Sequence, residues 1–456
     1  MTVAQEPRSG RWLDTARGDA WDIFEKTPPP LKTLEAWRRV DFGAWKLSLL
    51  DRAQQTSVLE PLRREPIRDG IARDLPADTG GIFEQRGETA WGVALDPDLT
   101  RQGVLLARLD DAAVRCPDLV KPHLGSWQAG EDFRKLESAN LARWRGGAFL
   151  YVPKGARLDK PIEISFLQNP VDPYSFPRVL VVAGAASAVT VVESHRSVEA
   201  SGPAGFTPDA GGGKRAPDIS SGRASGWFST VPTSSHVAFS RVVAENGAEV
   251  RYFYDQALSE GAVHFWHQRL DISRDAFVKH YGIFLGSTIH KSELDVHLEG
   301  PGAASEIHGL LFGSGGQLFD TNTVQRHAAS RTTSNLRLRA VLKGRARSIY
   351  RGLIRIEEDM AGCEAFQQND NLILDGGARA DSTPVLEILT DDVRCKHGST
   401  TGPASQEELF YLYSRGLLPQ EAIRMLVLGF FEPVLSGLPL GRLRENLPER
   451  IAGRLS

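Results

Sequence analysis

Cysteine is scarce: the 456-residue sequence has three, Cys116, Cys363 and Cys395. An odd number at wide spacing excludes a disulfide framework, suits a reducing compartment and cannot make a four-cysteine metal site alone. No run approaches the ~18 apolar residues of a membrane span. The opening residues have no apolar core of a signal peptide, and Asp14, Asp19 and Asp22 argue against a transit peptide, so a cytoplasmic location is expected. A one-sided charge is lacking too: 54 Lys and Arg stand against 57 Asp and Glu, a formal charge of −3, which gives no basic field to favour nucleic acid. Walker A, GxSxG, HExxH and CxxC signatures are missing, which disfavours a self-contained enzyme. Sites assembled across a fold leave no such local trace. What is present, 41% hydrophobic and 24% charged residues, is the composition of a globular protein of two or three domains.

The texture changes twice along the chain. Residues 1–140 read as a helical and mixed region: Trp12, Trp21 and Phe24, then Leu31, Leu34 and Trp37, suggest two short helices around the stop at Pro28–Pro30. Residues 82–95 suggest a strand pair and 104–125 a helix. From 141 to 402 short apolar runs such as Val179–Ala183, Val250–Tyr254 and Leu336–Leu342 alternate with Gly, Asn and Asp turns, predicting a mainly β region. It is too long for a simple sandwich. Small pairs recur at Gly155-Ala156, Gly184-Ala185, Gly247-Ala248 and Gly302-Ala303, spacings that approximate one or two coils of a β-solenoid. A sandwich whose glycines only mark turns is the alternative. Residues 197–226, rich in Gly, Ser, Pro and Ala, read as a flexible loop ejected from one coil. Residues 403–456 turn helical again. Ser405 is an expected N-cap, Gly416 a stop and Pro419 a restart, after which Ile423, Leu426, Val427, Phe430 and Val434 form one stripe, either packed on the solenoid end or free to dock a protein.

The segment Asp391 to Gly398 carries the most chemistry. On a strand, residues two apart share a face, so Cys395 and His397 present sulfur and imidazole side by side, half of a site for iron or zinc. Two ligands leave a metal incomplete unless others arrive from elsewhere. Cys363 lies about one coil earlier and is placed to approach Cys395. His264, His267, His280, His290, His297, His308 and His327 are individually expected to be hydrogen-bonded core or surface residues; with suitable register they would line up along the solenoid axis.

Gln368 to Leu374, Ala380 to Ile388, the run DDVRCKHGSTTG and the run LFYLYSRGL together resemble the SufB/SufD family of iron-sulfur cluster assembly proteins. The likeness is strongest from Val341 to Val434, looser back to Arg145, and vague in the first 140 residues. Within the family the sequence is most similar to SufD members, since it has the Cys-x-His-Gly arrangement and no cysteine-rich amino-terminal segment. The resemblance implies a right-handed parallel β-helix flanked by amino- and carboxy-terminal helices. It implies a non-catalytic scaffold subunit of an ATPase-driven complex, with a SufB-like paralogue and a SufC-like ATPase as partners, or a second copy of itself in isolation. His397 and, beside it, Cys395 are then expected to contribute to a transient iron-sulfur cluster shared with the partner, with no tightly bound cofactor. Phe410, Tyr411, Arg415 and Phe430 fall in the expected ATPase-docking segment. The alternatives are a SufB-type subunit, which would accept sulfur on a cysteine, and a β-helix carbohydrate-active enzyme, which would need a cleft of clustered carboxylates.

Overall fold

The structure, a computed structural model, describes residues 11–50, 75–88, 90–124, 130–168, 174–198, 233–438 and 441–455. Nearly all of the 197–226 segment lies outside the described residues.

From Ala148 to Pro403 the strands fall into two runs of parallel pairing, so that a strand bonds to the one before and after it in its own sheet rather than to its sequence neighbour. That is the topology of a parallel β-helix. Hydrogen bonds across one coil join residues 29 to 31 apart, such as Asn371 to Thr400 and Asn369 to Leu338. The Gly-Ala pairs mark one stacked corner: Gly155 N–H bonds Ala185 O, Ala186 N–H bonds Asn246 O, and Gly247 N–H bonds Arg274 O. Gly247 and Gly302 sit there at φ of 70° and 78°, conformations that cost other residues a steric penalty.

Strand alternation sorts the side chains. In Ala262–Ile272 the even residues Trp266, Leu270 and Ile272 point into the coil, while Val263 and Phe265 point out. The interior is a continuous apolar column from Phe83 to Ala378. Outward-facing Val237, Phe239, Phe265 and Ile289 are covered by Leu13, Trp21, Trp37, Trp45 and Leu136 of the amino-terminal region. The other sheet is covered on its outer face by Val427, Phe431, Val434, Leu447 and Ile451, which pack on Phe253, Tyr281, Leu310 and Val341. Each such side chain contributes ~1.5–3 kcal/mol by leaving water, so both helical layers are integral to the fold.

Several expectations shift. The carboxy-terminal stripe covers the side of the β-helix, not its end. The first helix, Arg11–Lys26, forms, but after the prolines only short 3-10 turns follow, because the tryptophans there meet their partners without a full helix. The strand pair is Gly81–Arg86 with Ala90–Leu95, and the first of these extends a sheet in parallel with Ile162–Gln168, so the ladder reaches back beyond residue 141. Residues 104–125 divide into a strand, Leu105–Arg108, and helices Leu109–Arg115 and Pro117–Leu124. The histidines do not form one line. His264 and His290 share a register row with His236 and join it to His195, whereas His267, His297 and His308 face outward.

Candidate functional site

The last strands of the two sheets are Arg379–Ile388 and Val393–Pro403, and no described strand pairs with either on its far side. Register carries the inside of the β-helix up to this end. Leu336, Leu338 and Ala340 of one coil sit under Gln367, Asn369 and Asn371 of the next, and these under His397, Ser399 and Thr401. The parallel row runs from Ser334 through Ala365 to Cys395. The interior therefore changes within two coils from aliphatic to amide, and then to thiol, imidazole and hydroxyl. A core that ended in solvent with leucines would expose apolar surface; one that ends in amides tolerates water or polar ligands.

The amide layer is partly tied down. Asn371 Nδ2 donates to Asn369 Oδ1 (2.9 Å), to Thr400 O (3.1 Å) and to Thr401 Oγ1 (3.2 Å), and Gln367 Nε2 reaches Gly352 O at 3.4 Å. Gln367 Oε1 and Asn371 Oδ1 are buried with no partner among the described residues. Cys395 and His397 lie on the same inward row, as their spacing requires, with His397 exposed and Cys395 half-buried. Cys395 belongs to a small apolar cluster with Ile354, Ile356 and Cys363. Burial first, and then the neighbouring Cys363, push its thiol pKa up, while an Ala365 N–H works in the opposite sense. Cys363 is buried, and its Sγ reaches Thr332 Oγ1 (3.2 Å) and Ala329 O (3.4 Å). Cys363 thus does approach Cys395, as a packed thiol in a cluster where both are free. A protonated thiol beside one imidazole is a weak metal grip, because a ligating sulfur must be a thiolate.

The edge itself is oriented. Arg379 N–H and Leu389 N–H bond back to Ala346 O and Ile356 O, so odd residues face the ladder and even ones face outward. Pro384 falls on the outward set, where its missing N–H removes nothing from the existing ladder. In the other sheet Ala404 N–H bonds Ile373 O, so the backbone groups of Cys395, His397, Ser399 and Thr401 point off the ladder. Val385, Leu386, Ile388 and Leu389 add exposed apolar surface at the same end.

The docking residues read from sequence divide. Ser405 caps the helix Gln406–Ser414 by accepting from Glu408 N–H, as expected. On that helix Phe410 (74% exposed) and Tyr411 (56%) project outward, and Arg415 stacks on the Tyr411 ring at 5.1 Å. Phe430 is half-buried, with Arg339 over its ring and bonded to its carbonyl. An open groove of about 750 Å³ runs between this helix and the next, Pro419–Leu435, lined by Tyr411, Leu412, Met425, Leu426 and Phe430. The Gln367, Asn369, Asn371 row escaped the site reading from sequence; its signal was three amides at alternate positions.

These features define a parallel β-helix clad in helices on both flanks, with polar ligand groups at an unpaired terminal coil. Residues 224–430 match the SUF system FeS cluster assembly, SufBD core domain. A Staphylococcus epidermidis protein described as an iron-sulfur cluster assembly SufBD family protein is 27% identical over 426 residues, covering 90% of this chain and 85% of its own. Proteins of the same description from Staphylococcus haemolyticus and Staphylococcus aureus are each 27% identical over 346 residues, 76% of this chain and 68% of theirs. The chain thus carries a SufBD core domain and is similar over most of its length to SufBD family proteins of iron-sulfur cluster assembly. Among the described residues no helix is long and apolar enough to cross a membrane.

Proposed function

We propose that this chain is a SufD-type, non-catalytic scaffold subunit of the cytoplasmic SUF machinery. It pairs with a SufB-like paralogue through its terminal coil and offers His397, with Cys395 beside it, to a cluster that is cargo rather than resident cofactor. The helix Gln406–Ser414 and the adjoining groove, with Phe410, Tyr411, Arg415 and Phe430, receive a SufC-like ATPase. The observation that carries this reading is the polar inner row of an uncovered coil: it holds too few ligands for a cluster, and a facing subunit supplies the rest. Incomplete coordination also suits release, since separating the subunits opens the site. The SufB-type alternative is disfavoured by the raised thiol pKa of Cys395, because accepting sulfur calls for a thiolate.

His397→Ala tests the reading. The side chain is exposed, so stability is expected to change by no more than ~0.5 kcal/mol, and copurification of the paralogue and ATPase to persist. Iron and sulfide recovered anaerobically with the complex are expected to fall severalfold. Unchanged iron and sulfide would remove His397 from the site.

A further inference from the structure

A second group of ligand-type side chains lies far from the terminal coil, on the outward face of the sheet beneath the amino-terminal layer. His267 and Glu293 are register neighbours on adjacent coils, and Asp295 follows Glu293 by two residues on the same face. One potential ligand atom from each lies within 4.8 Å of the others, and all three residues are buried. His267 Nε2 meets Asp295 Oδ2 at 3.0 Å, which fixes the ring, and Phe239 packs on it at 5.3 Å. His267 Nδ1 and Glu293 Oε2 are buried with no hydrogen-bond partner among the described residues. An unpartnered carboxylate oxygen in a buried cluster of three converging ligand atoms calls for a cation that accepts its lone pair.

Charge counting points the same way. Lys291 Nζ and Arg351 Nη2 both bind Asp320, at 3.1 and 2.8 Å. Burial first, and then the nearby Asp295 and Asp132, disfavour the ionised form of Glu293, opposed by Lys291 and Arg351. Four carboxylates (Asp132, Glu293, Asp295, Asp320) therefore share two cations. One divalent ion closes that deficit; a proton closes half of it. A neighbouring trio, Asp271, His297 and Glu299, has no such need, because Arg241 and Arg269 each bond Asp271 at 2.6 Å.

We infer that His267, Glu293 and Asp295 bind one divalent first-row metal ion. One imidazole and two carboxylates suit Fe(II), Mn(II) or Zn(II) and exclude a preference for soft, thiolate-seeking ions. Ferrous iron is the ion of consequence here, an identity that rests on the cluster-assembly reading above. The site then holds iron apart from sulfur, near the turn Glu131–Phe133, whose Asp132 acts on Glu293.

The test uses the full-length protein, stripped of metal and titrated anaerobically with ferrous salt. Expected are one ferrous ion per chain, a Mössbauer signature of nitrogen and oxygen ligands, and a higher melting temperature. Glu293→Gln keeps the size and shape of the side chain and should fold; it and Asp295→Asn are expected to weaken binding at least tenfold, whereas Cys395→Ser leaves it unchanged. Absence of stoichiometric binding, equal binding by both variants, or sulfur ligation lost in Cys395→Ser would overturn the site. A wild-type chain that assembles clusters with its partners yet binds no ferrous ion alone overturns this inference only. Ferrous binding here without any copurifying partner overturns the scaffold reading only.

Discussion

The middle coils and the last coil are built on the same period and the same alternation, yet they live in different surroundings. In Ala262–Ile272 nearly every residue is buried, with a coil on either side and the amino-terminal layer above; in Val393–Pro403 none is. Strand identity along a solenoid thus comes from local pattern, while stability comes from neighbours. Where the neighbour is missing, the sequence changes its inward residues from Leu336 and Leu338 to His397 and Ser399 rather than abandoning the strand. The middle is a structural column, and its end is an edge that no described strand covers and whose inward groups are polar.

The largest expected separation between the two regions is in acid. Burial lowers the pKa of His236, His264, His280, His290, His297 and His327, all in covered coils. His280 and His290 fall to about 3 and His297 and His327 to about 4. A lowered pKa in the folded state means that the unfolded chain binds the proton first. The contribution is whole above the ordinary histidine value of 6.5 and is lost as pH falls toward those folded values. Each histidine costs ~1.4 kcal/mol per pH unit in that window. Urea midpoints measured from pH 7 to pH 5 are expected to drop steeply, and His290→Phe, which keeps a ring beside Phe284 and Phe319, to flatten the slope by about one histidine's share. A flat profile would mean that the covered interior is already wet.

Next in size is a pair of truncations. Phe319 is fully buried in a central coil and Leu386 is 37% exposed on the terminal strand. Phe319→Ala is expected to cost ~3–5 kcal/mol in urea unfolding, cavity included, and Leu386→Ala less than ~1 kcal/mol. Equal losses would erase the distinction between column and surface.

How much of this the sequence disclosed follows from the range of the interactions. The strands, the turn spacing, the Ser405 cap and the shared face of Cys395 and His397 are set by residues a few positions apart, and pattern reveals them. The stacked corner at Gly247 was visible because its turn demands a positive φ. Features fixed by register between coils were hidden: which histidines face inward, the amide row under His397, and the meeting of His267 with Glu293. The carboxy-terminal stripe of Val427 and Val434 was legible as a stripe, but its placement on the flank depends on Phe253 and Leu310, over a hundred residues away in the chain. The first helix was legible and the second was not, since Trp37 is held by Phe133, Trp45 and the Asp132 carbonyl rather than by helical neighbours.

The smallest expected effect probes where the column stops. Cys363 is the last fully covered thiol and Cys395 the first half-covered one, and they touch the same apolar cluster. Alkylation by iodoacetamide reads this difference directly, because the thiolate is the reactive form and access limits the rest. In the native protein Cys363 is expected to stay unmodified while Cys395 reacts, more slowly than a free thiol at pH 8, since burial and Cys363 hold its pKa up. Cys363→Ala removes one of those two causes and should speed Cys395 severalfold, with little change in stability because a small apolar residue replaces another. If Cys363 were alkylated as fast as Cys395, the covered column would have to end one coil earlier, and the amide row of Gln367, Asn369 and Asn371 would itself belong to the open end.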